Sequence, residues 1–356
     1  MQDPLAPGLA ATPVRLGSAA LAVDHVAQTK RPPENTPANN LENRVSGADL
    51  LRSVGETLRV NNDQSPLADT EVHYLTSEMV NDEFKIFVGH CGTKGEHRVP
   101  VLYLTDANGY FGGAVDIVRS MQLGIHLPPL LIVGIGYRAG GIGDVMAPRT
   151  RDLTPTWDST FARLYPDQQA MGGAGALLQF IEQELKPWVA DRYDVDHDNA
   201  TYFGHSFGGL FGVYVLLTAP AAFRRYIIGS PSVWWDDGAM FEYEPPSART
   251  ARSASEVGWG RTHADDPVVV YLGVGAHETH EGRHREVVNL PAGERAKSGV
   301  RYIDMVADTV KIAERLRQLD WLNTKVDLDV FPDEFHITVP LLTLSRGLRT
   351  VFDAPR

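Results

Sequence analysis

Residues 201–209 read Thr201-Tyr202-Phe203-Gly204-His205-Ser206-Phe207-Gly208-Gly209. This is a G-x-S-x-G pattern with one added glycine. Ala200 to Phe203 ahead of it has the composition of a buried strand, and Phe207 to Leu217 behind it is an apolar run of helical length. A serine between such a strand and such a helix sits on a tight turn with strained backbone angles, so the positions two residues away must lack bulky side chains. The turn lifts the hydroxyl off the sheet. It also leaves the Phe207 N–H at the positive end of the helix, where it can stabilise an oxyanion. Ser206 is therefore the candidate nucleophile and Phe207 the first candidate oxyanion donor. The competing reading is a glycine-rich strand-to-helix turn that only packs closely.

Working outward, strands alternate with helices. Glu71 to Thr76 and Glu83 to His90 alternate in polarity and read as an antiparallel pair. Val99 to Leu104, Leu130 to Ile135, Tyr226 to Gly229, Val268 to Val274 and Val326 to Val330 are short apolar runs, consistent with buried strands. Met171 to Tyr193 has helical spacing, with Leu177, Leu178, Ile181, Leu185 and Trp188 on one face. Ile303 to Leu319 and Leu341 to Phe352 are further helices. Such alternation predicts a mostly parallel sheet covered on both faces. With the serine turn, it predicts a single α/β-hydrolase domain over residues 66–356. Residues 1–65 are rich in Pro, Ala, Asn and small polar residues and read as a poorly ordered extension or an arm. Such an arm could cover the pocket or a neighbouring subunit, which makes a homo-oligomer a possible partner state. Ser46 to Leu58 could form a short helix within it. Residues 237–265, polar and Gly/Ser/Arg-rich, read as an excursion near the site.

Composition narrows the classes. The formal net charge of -12 over 356 residues argues against nucleic acid or an anionic membrane as the partner. Cys91 is the single cysteine, so no intrachain disulfide forms and the compartment stays open. No run approaches a membrane span. Met1 to Gly8 lacks a basic start followed by an apolar core, so no signal peptide is expected and the cytoplasm is the default expectation.

A serine hydroxyl needs a base. In this fold the chain order is serine, acid, histidine. His336 lies in Val330-Phe331-Pro332-Asp333-Glu334-Phe335-His336, past the final strand and before the last helix. His277, His280 and His284 come too early. The acid belongs after the preceding strand, where Gly275-Ala276-His277-Glu278 ends the run, so Glu278 is the choice; Glu281, Asp333 and Glu334 are alternatives. A second oxyanion donor should come from the loop after Val99 to Leu104, with the Asn108 amide first and Ala107 next. His280 and His284 have i, i+4 spacing, but Gly282 between them and a loop setting argue against a metal. No metal or cofactor is expected.

These residues, taken together, resemble the enterochelin-esterase-like family of α/β hydrolases, which includes siderophore esterases and relatives of S-formylglutathione hydrolase and feruloyl esterases. The matching stretches are Val101-Leu102-Tyr103-Leu104-Thr105-Asp106-Ala107-Asn108, Ile132-Val133-Gly134-Ile135-Gly136-Tyr137, Arg149-Thr150-Arg151-Asp152-Leu153-Thr154-Pro155, the serine turn, Gly229-Ser230-Pro231-Ser232-Val233-Trp234-Trp235, Gly275-Ala276-His277-Glu278, and His336 with Val339-Pro340. The resemblance spans about residues 70–353. It implies Ser206, Glu278 and His336 as nucleophile, acid and base acting on a small-molecule ester. Trp234 and Trp235 are similar to the family's tract beside the pocket, with core packing as the equal alternative. His205 and Tyr110 are further pocket candidates, and Arg151 with Asp152 is read as a loop brace. Residues 1–65 have no counterpart, and Phe335 replaces the usual Gly or Thr before the histidine, which leaves pocket shape and substrate open. Two rival readings are an acyltransferase, in which an alcohol replaces water, and a catalytically silent binding protein of the same fold.

Overall fold

The structure, a computed structural model, describes residues 67–92, 98–124, 127–138, 142–243, 267–279, 303–319 and 324–353. The expected arm, most of the 237–265 excursion, Glu281, His280 and His284 lie outside these residues.

Among the described residues the strands are β1 (Thr70–Ser77), β2 (Asp82–Cys91), β3 (Val99–Leu104), β4 (Leu130–Tyr137), β5 (Val195–His205), β6 (Arg225–Gly229), β7 (Val269–Gly275) and β8 (Lys325–Phe331). They form one sheet in the order β1-β2-β4-β3-β5-β6-β7-β8. β1, β2 and β4 pair antiparallel, and the remaining pairs are parallel. The parallel strands need crossovers, which the helices supply. These are α1 (Ala107–Gly124), α2 (Ile142–Leu153), α3 (Ser159–Leu164), α4 (Ala174–Gln179), α5 (Lys186–Arg192), α6 (Phe207–Thr218), α7 (Ala239–Glu242), α8 (Met305–Arg317) and α9 (Val339–Asp353). The architecture is the α/β-hydrolase fold.

Strand alternation sorts the core into two layers. Val101, Tyr103, Val133, Tyr202, Ile228 and Leu272 face one way, against Leu177, Leu210, Phe211 and Leu316. Leu102, Leu104, Ile132, Phe203, Ile227 and Tyr271 face the other, against Phe111 and Val115 of α1 and Leu344 and Leu348 of α9. Central strands buried on both faces must be apolar throughout, as Leu130–Tyr137 is.

The expected helix over Met171 to Tyr193 is interrupted. Gly172 takes φ +82 and Gly173 precedes the first turn, so the helix begins at Ala174. Phe180–Leu185 is π-helical, and the Lys186 N–H reaches back five residues to the Ile181 carbonyl. Pro187 has no N–H to give and its ring crowds the preceding turn, which favours a wider turn just ahead of it.

Gly347 lets α9 lie on the sheet: a Cβ there would collide with the Ile227 side chain and come within 2.9 Å of Tyr271 Cδ1. Gly347→Leu is expected to push α9 outward and cost about 1–3 kcal/mol of stability. A thermal melt checks this, and an unchanged melting temperature would mean that α9 has slack.

Candidate active site

β3 and β5 are adjacent and parallel, with Leu104 beside Phe203. Each is followed by a helix, so the N-termini of α1 and α6 lie at the same end of the sheet. The first-turn N–H groups of both helices have no partner within their helix. Ser206 precedes α6 with φ 61 and ψ -116, a conformation that a serine holds only under constraint. The constraint is visible. Its N–H donates to the Gly229 carbonyl at 2.9 Å, and its carbonyl accepts from Leu210 and from Ser232.

The glycines of the motif are answers to close approach. A Cβ on Gly204 would collide with the Gly208 carbonyl and the Tyr202 hydroxyl. One on Gly208 would lie 2.5 Å from Thr105 Oγ1, and one on Gly209 2.7 Å from the Gly229 carbonyl oxygen. The added glycine is thus required by the turn after β6, which packs on the first turn of α6.

Glu278 and His336 meet. His336 Nδ1 lies 2.6 Å from Glu278 Oε2. The other carboxylate oxygen, Oε1, accepts from the Ser230 hydroxyl at 2.6 Å and the Gly275 N–H at 2.8 Å. Glu278 is buried, so a carboxylate there needs these donors. The loops carrying acid and histidine are tied together by Ala276 N–H to the Phe331 carbonyl and His277 N–H to the Glu334 carbonyl. Of the alternatives, the Asp333 side chain is 98% exposed and lies 3.7 Å from His277.

Ser206 and His336 line one cavity of about 230 Å³. Phe161, Leu164, Tyr165, Trp234 and Met305 make its walls largely apolar, and Thr160, Gln168, Ser232 and Arg149 add polar groups. The partner of Ser206 Oγ is Ser232 Oγ at 3.4 Å. Arg149 is a mostly buried cation: Nε and Nη2 clasp Asp106 at 2.7 and 3.0 Å, and Nη2 also donates to the His205 carbonyl at 3.3 Å. Its guanidinium lies over the Phe207 ring. Burial works against the Arg149 charge, but Asp106, as countercharge and acceptor, more than offsets this and holds its pKa up. Asp106 and Arg149 thus tie the start of α1 to the serine turn.

The predicted pocket residues divide. Trp234 lines the cavity. Trp235 does not: it is 1% exposed, packs against Phe161 and Phe207, and its indole N–H donates to the Thr156 carbonyl. Trp234 has right-handed helical backbone angles, φ -67 and ψ -14, and in that conformation consecutive side chains point about 100° apart. Tyr110 packs on Phe203 and His205 in the first turns of α1 rather than on the cavity, and burial with the nearby Asp106 pushes its pKa up to about 12. Asn108 lies in the first turn of α1, not in a loop. Its side-chain amide pairs with the Tyr137 backbone through both groups, at 3.0 and 2.7 Å. Ala107 is one residue nearer the strand. Arg151 clasps Asp152 and reaches Asp82, as a brace does. Among the described residues no group of His, Cys, Asp and Glu could hold a metal ion, and no helix is long and apolar enough to cross a membrane.

His205 lies beneath His336, with ring centroids 4.5 Å apart. Burial, the His336 ring and the Arg149 charge push its pKa well below 6.5. Folded His205 therefore stays neutral where unfolded His205 takes up a proton. Its contribution to stability is complete above pH 6.5 and is lost as pH falls below that value. The melting temperature is expected to fall from pH 7 to pH 5, and His205→Phe to flatten part of that fall. An equal slope in the variant would contradict it.

The family model described as "Putative esterase" matches residues 77–307. Ferri-bacillibactin esterase BesA of Bacillus subtilis is 32% identical over 292 residues, covering 79% of this chain and 88% of that protein. The siderophore triacetylfusarinine C esterase of Aspergillus fumigatus is 26% identical over 295 residues, covering 81% and 94%. Among solved structures, the BES protein from Bacillus cereus overlays with a TM-score of 0.62 at 26% identity, covering 80% of this chain and 95% of that one. Siderophore hydrolase EstB from Aspergillus nidulans overlays with a TM-score of 0.63 at 25% identity, covering 82% and 99%. With the family model matched over more than half of the chain and a relative above 30% identity along most of it, this protein belongs to the esterase family and is an ester-bond hydrolase.

Proposed function

We propose that the protein hydrolyses siderophore-type esters through Ser206, His336 and Glu278. The observation that carries this reading is the buried Glu278 carboxylate on His336 Nδ1, with His336 and the strained Ser206 lining one cavity. Ser206 Oγ attacks the ester carbonyl carbon while His336 takes its proton through Nε2. Glu278 holds the tautomer with the proton on Nδ1 and stabilises the imidazolium. The Phe207 N–H, and a first-turn amide of α1 at Asn108 or Ala107, receive the oxyanion. His336 returns the proton to the leaving alkoxide, and the alcohol departs. Water, deprotonated by the same imidazole, then releases the acid from the acyl-enzyme.

Siderophore esters as substrates rest on the names of the relatives and on the cavity. About 230 Å³ is below the usual range for a whole drug-sized ligand. Such a volume suits one arm of a larger ester, its ring against Phe161, Tyr165 and Trp234, with the remainder outside. The test is kcat/KM on ferri-bacillibactin, triacetylfusarinine C and p-nitrophenyl acetate, with products identified by mass. The reading expects at least one siderophore ester to be hydrolysed well ahead of the nitrophenyl ester. Turnover of the nitrophenyl ester alone would contradict the substrate class and leave the triad reading in place.

A further inference from the structure

The turn after β6, Gly229-Ser230-Pro231-Ser232, touches both ends of the proposed catalytic array. Gly229 accepts the Ser206 N–H at 2.9 Å, and the Ser232 N–H donates to the Ser206 carbonyl at 3.1 Å. Between these two anchors, the Ser230 hydroxyl donates to Glu278 Oε1 at 2.6 Å. Ser230 is fully buried and its N–H donates to the Gly273 carbonyl of β7 at 2.8 Å. Its φ of 37 lies in the left-handed region that disfavours a side chain. Glycine would suit that backbone better, yet a serine stands there with its hydroxyl on a buried carboxylate.

We infer that Ser230 is the positioning residue for the acid, fixing the Glu278 carboxylate relative to the nucleophile through one short turn. The inference rests on the reading of Glu278 as the triad acid. Glu278 has one oxygen for His336 and one for the protein. The second is saturated by Ser230 and by the Gly275 N–H of its own turn. The Gly275 bond is local, since it spans three residues, and moves with the Glu278 turn. Ser230 supplies the bond that refers the carboxylate to the other half of the site. Without the hydroxyl, the carboxylate keeps more of its negative charge for the imidazolium but loses a fixed orientation.

The test uses Ser230→Ala, Ser230→Gly and Glu278→Gln in the full chain, with kcat, KM, the pH profile of kcat/KM and a thermal melt for each. Both Ser230 variants are expected to lose about tenfold in kcat, the order of one hydrogen bond to a charged group. KM should stay near wild type because Ser230 does not line the cavity. The acid limb of kcat/KM should move to higher pH, since the carboxylate then keeps more of its charge for the imidazolium. Ser230→Gly should melt no lower than Ser230→Ala, because glycine relieves the backbone strain, so its loss of rate cannot be assigned to misfolding. Wild-type kcat in Ser230→Gly, or a lost rate with an unmoved acid limb, would overturn the inference. Glu278→Gln separates the two levels: full activity there overturns the acid assignment and the Ser230 role together. Impaired Glu278→Gln beside unimpaired Ser230→Gly overturns the Ser230 role alone.

Discussion

Ser206→Ala is expected to lose ester hydrolysis by roughly 10⁴- to 10⁶-fold in kcat while the protein stays folded, since removal of the nucleophile disables the whole array. The backbone at Ser206 has φ 61, so alanine inherits the strain without adding to it. The lost contact is the long hydroxyl pair with Ser232, a small term beside the packing of α6, whose residues from Phe207 to Val213 are buried. Stability should therefore be close to wild type. Circular dichroism and a thermal melt establish folding, and a continuous ester assay gives the rate. A folded variant retaining more than about a tenth of the activity would show that another hydroxyl attacks, against the expected cost.

His336→Ala and Glu278→Gln are expected to fall in a fixed order. The histidine moves the proton in both half-reactions, so His336→Ala should approach the loss of Ser206→Ala. The acid only orients and stabilises, so Glu278→Gln should lose less, on the order of 10²- to 10⁴-fold. Glutamine is near-isosteric, and its oxygen can still accept from Ser230 and Gly275, which keeps the loop in place. Its amide nitrogen then faces the N–H of His336 Nδ1 and favours the tautomer that cannot take the serine proton. Steady-state kinetics of the two variants side by side test the order. A fully active Glu278→Gln with a dead Asp333→Asn or Glu334→Gln would move the acid to another carboxylate.

The strands were legible because burial on both faces forces apolar runs, and β3 and β4 begin where their sequences predict. α1 was not. Residues 105–111 read as the loop after Val99 to Leu104, whereas α1 begins at Ala107; its Gly113 answers a tertiary approach, with Leu341 of α9 2.7 Å from where a Cβ would sit. Tertiary contact hid the role of the turn after β6, since Ser230 carries a hydrogen bond to a residue 48 positions away that no local pattern encodes. The meeting of Glu278 with His336 was legible, because chain order in this fold restricts where such a carboxylate and such a histidine can stand. The division of Trp234 from Trp235 was not, because it depends on Phe161 and Phe207, distant in sequence, against which Trp235 packs. Arg149 and Asp106 are 43 residues apart, and only the folded chain pairs them.

The most direct measurement is covalent capture. The intact protein is treated with a fluorophosphonate, its mass is taken, and the modified peptide is sequenced. A single adduct on the peptide containing Ser206, absent from Ser206→Ala and slowed in His336→Ala, is the result the geometry predicts. An adduct on another residue, or none from a folded protein that still hydrolyses esters, would contradict it.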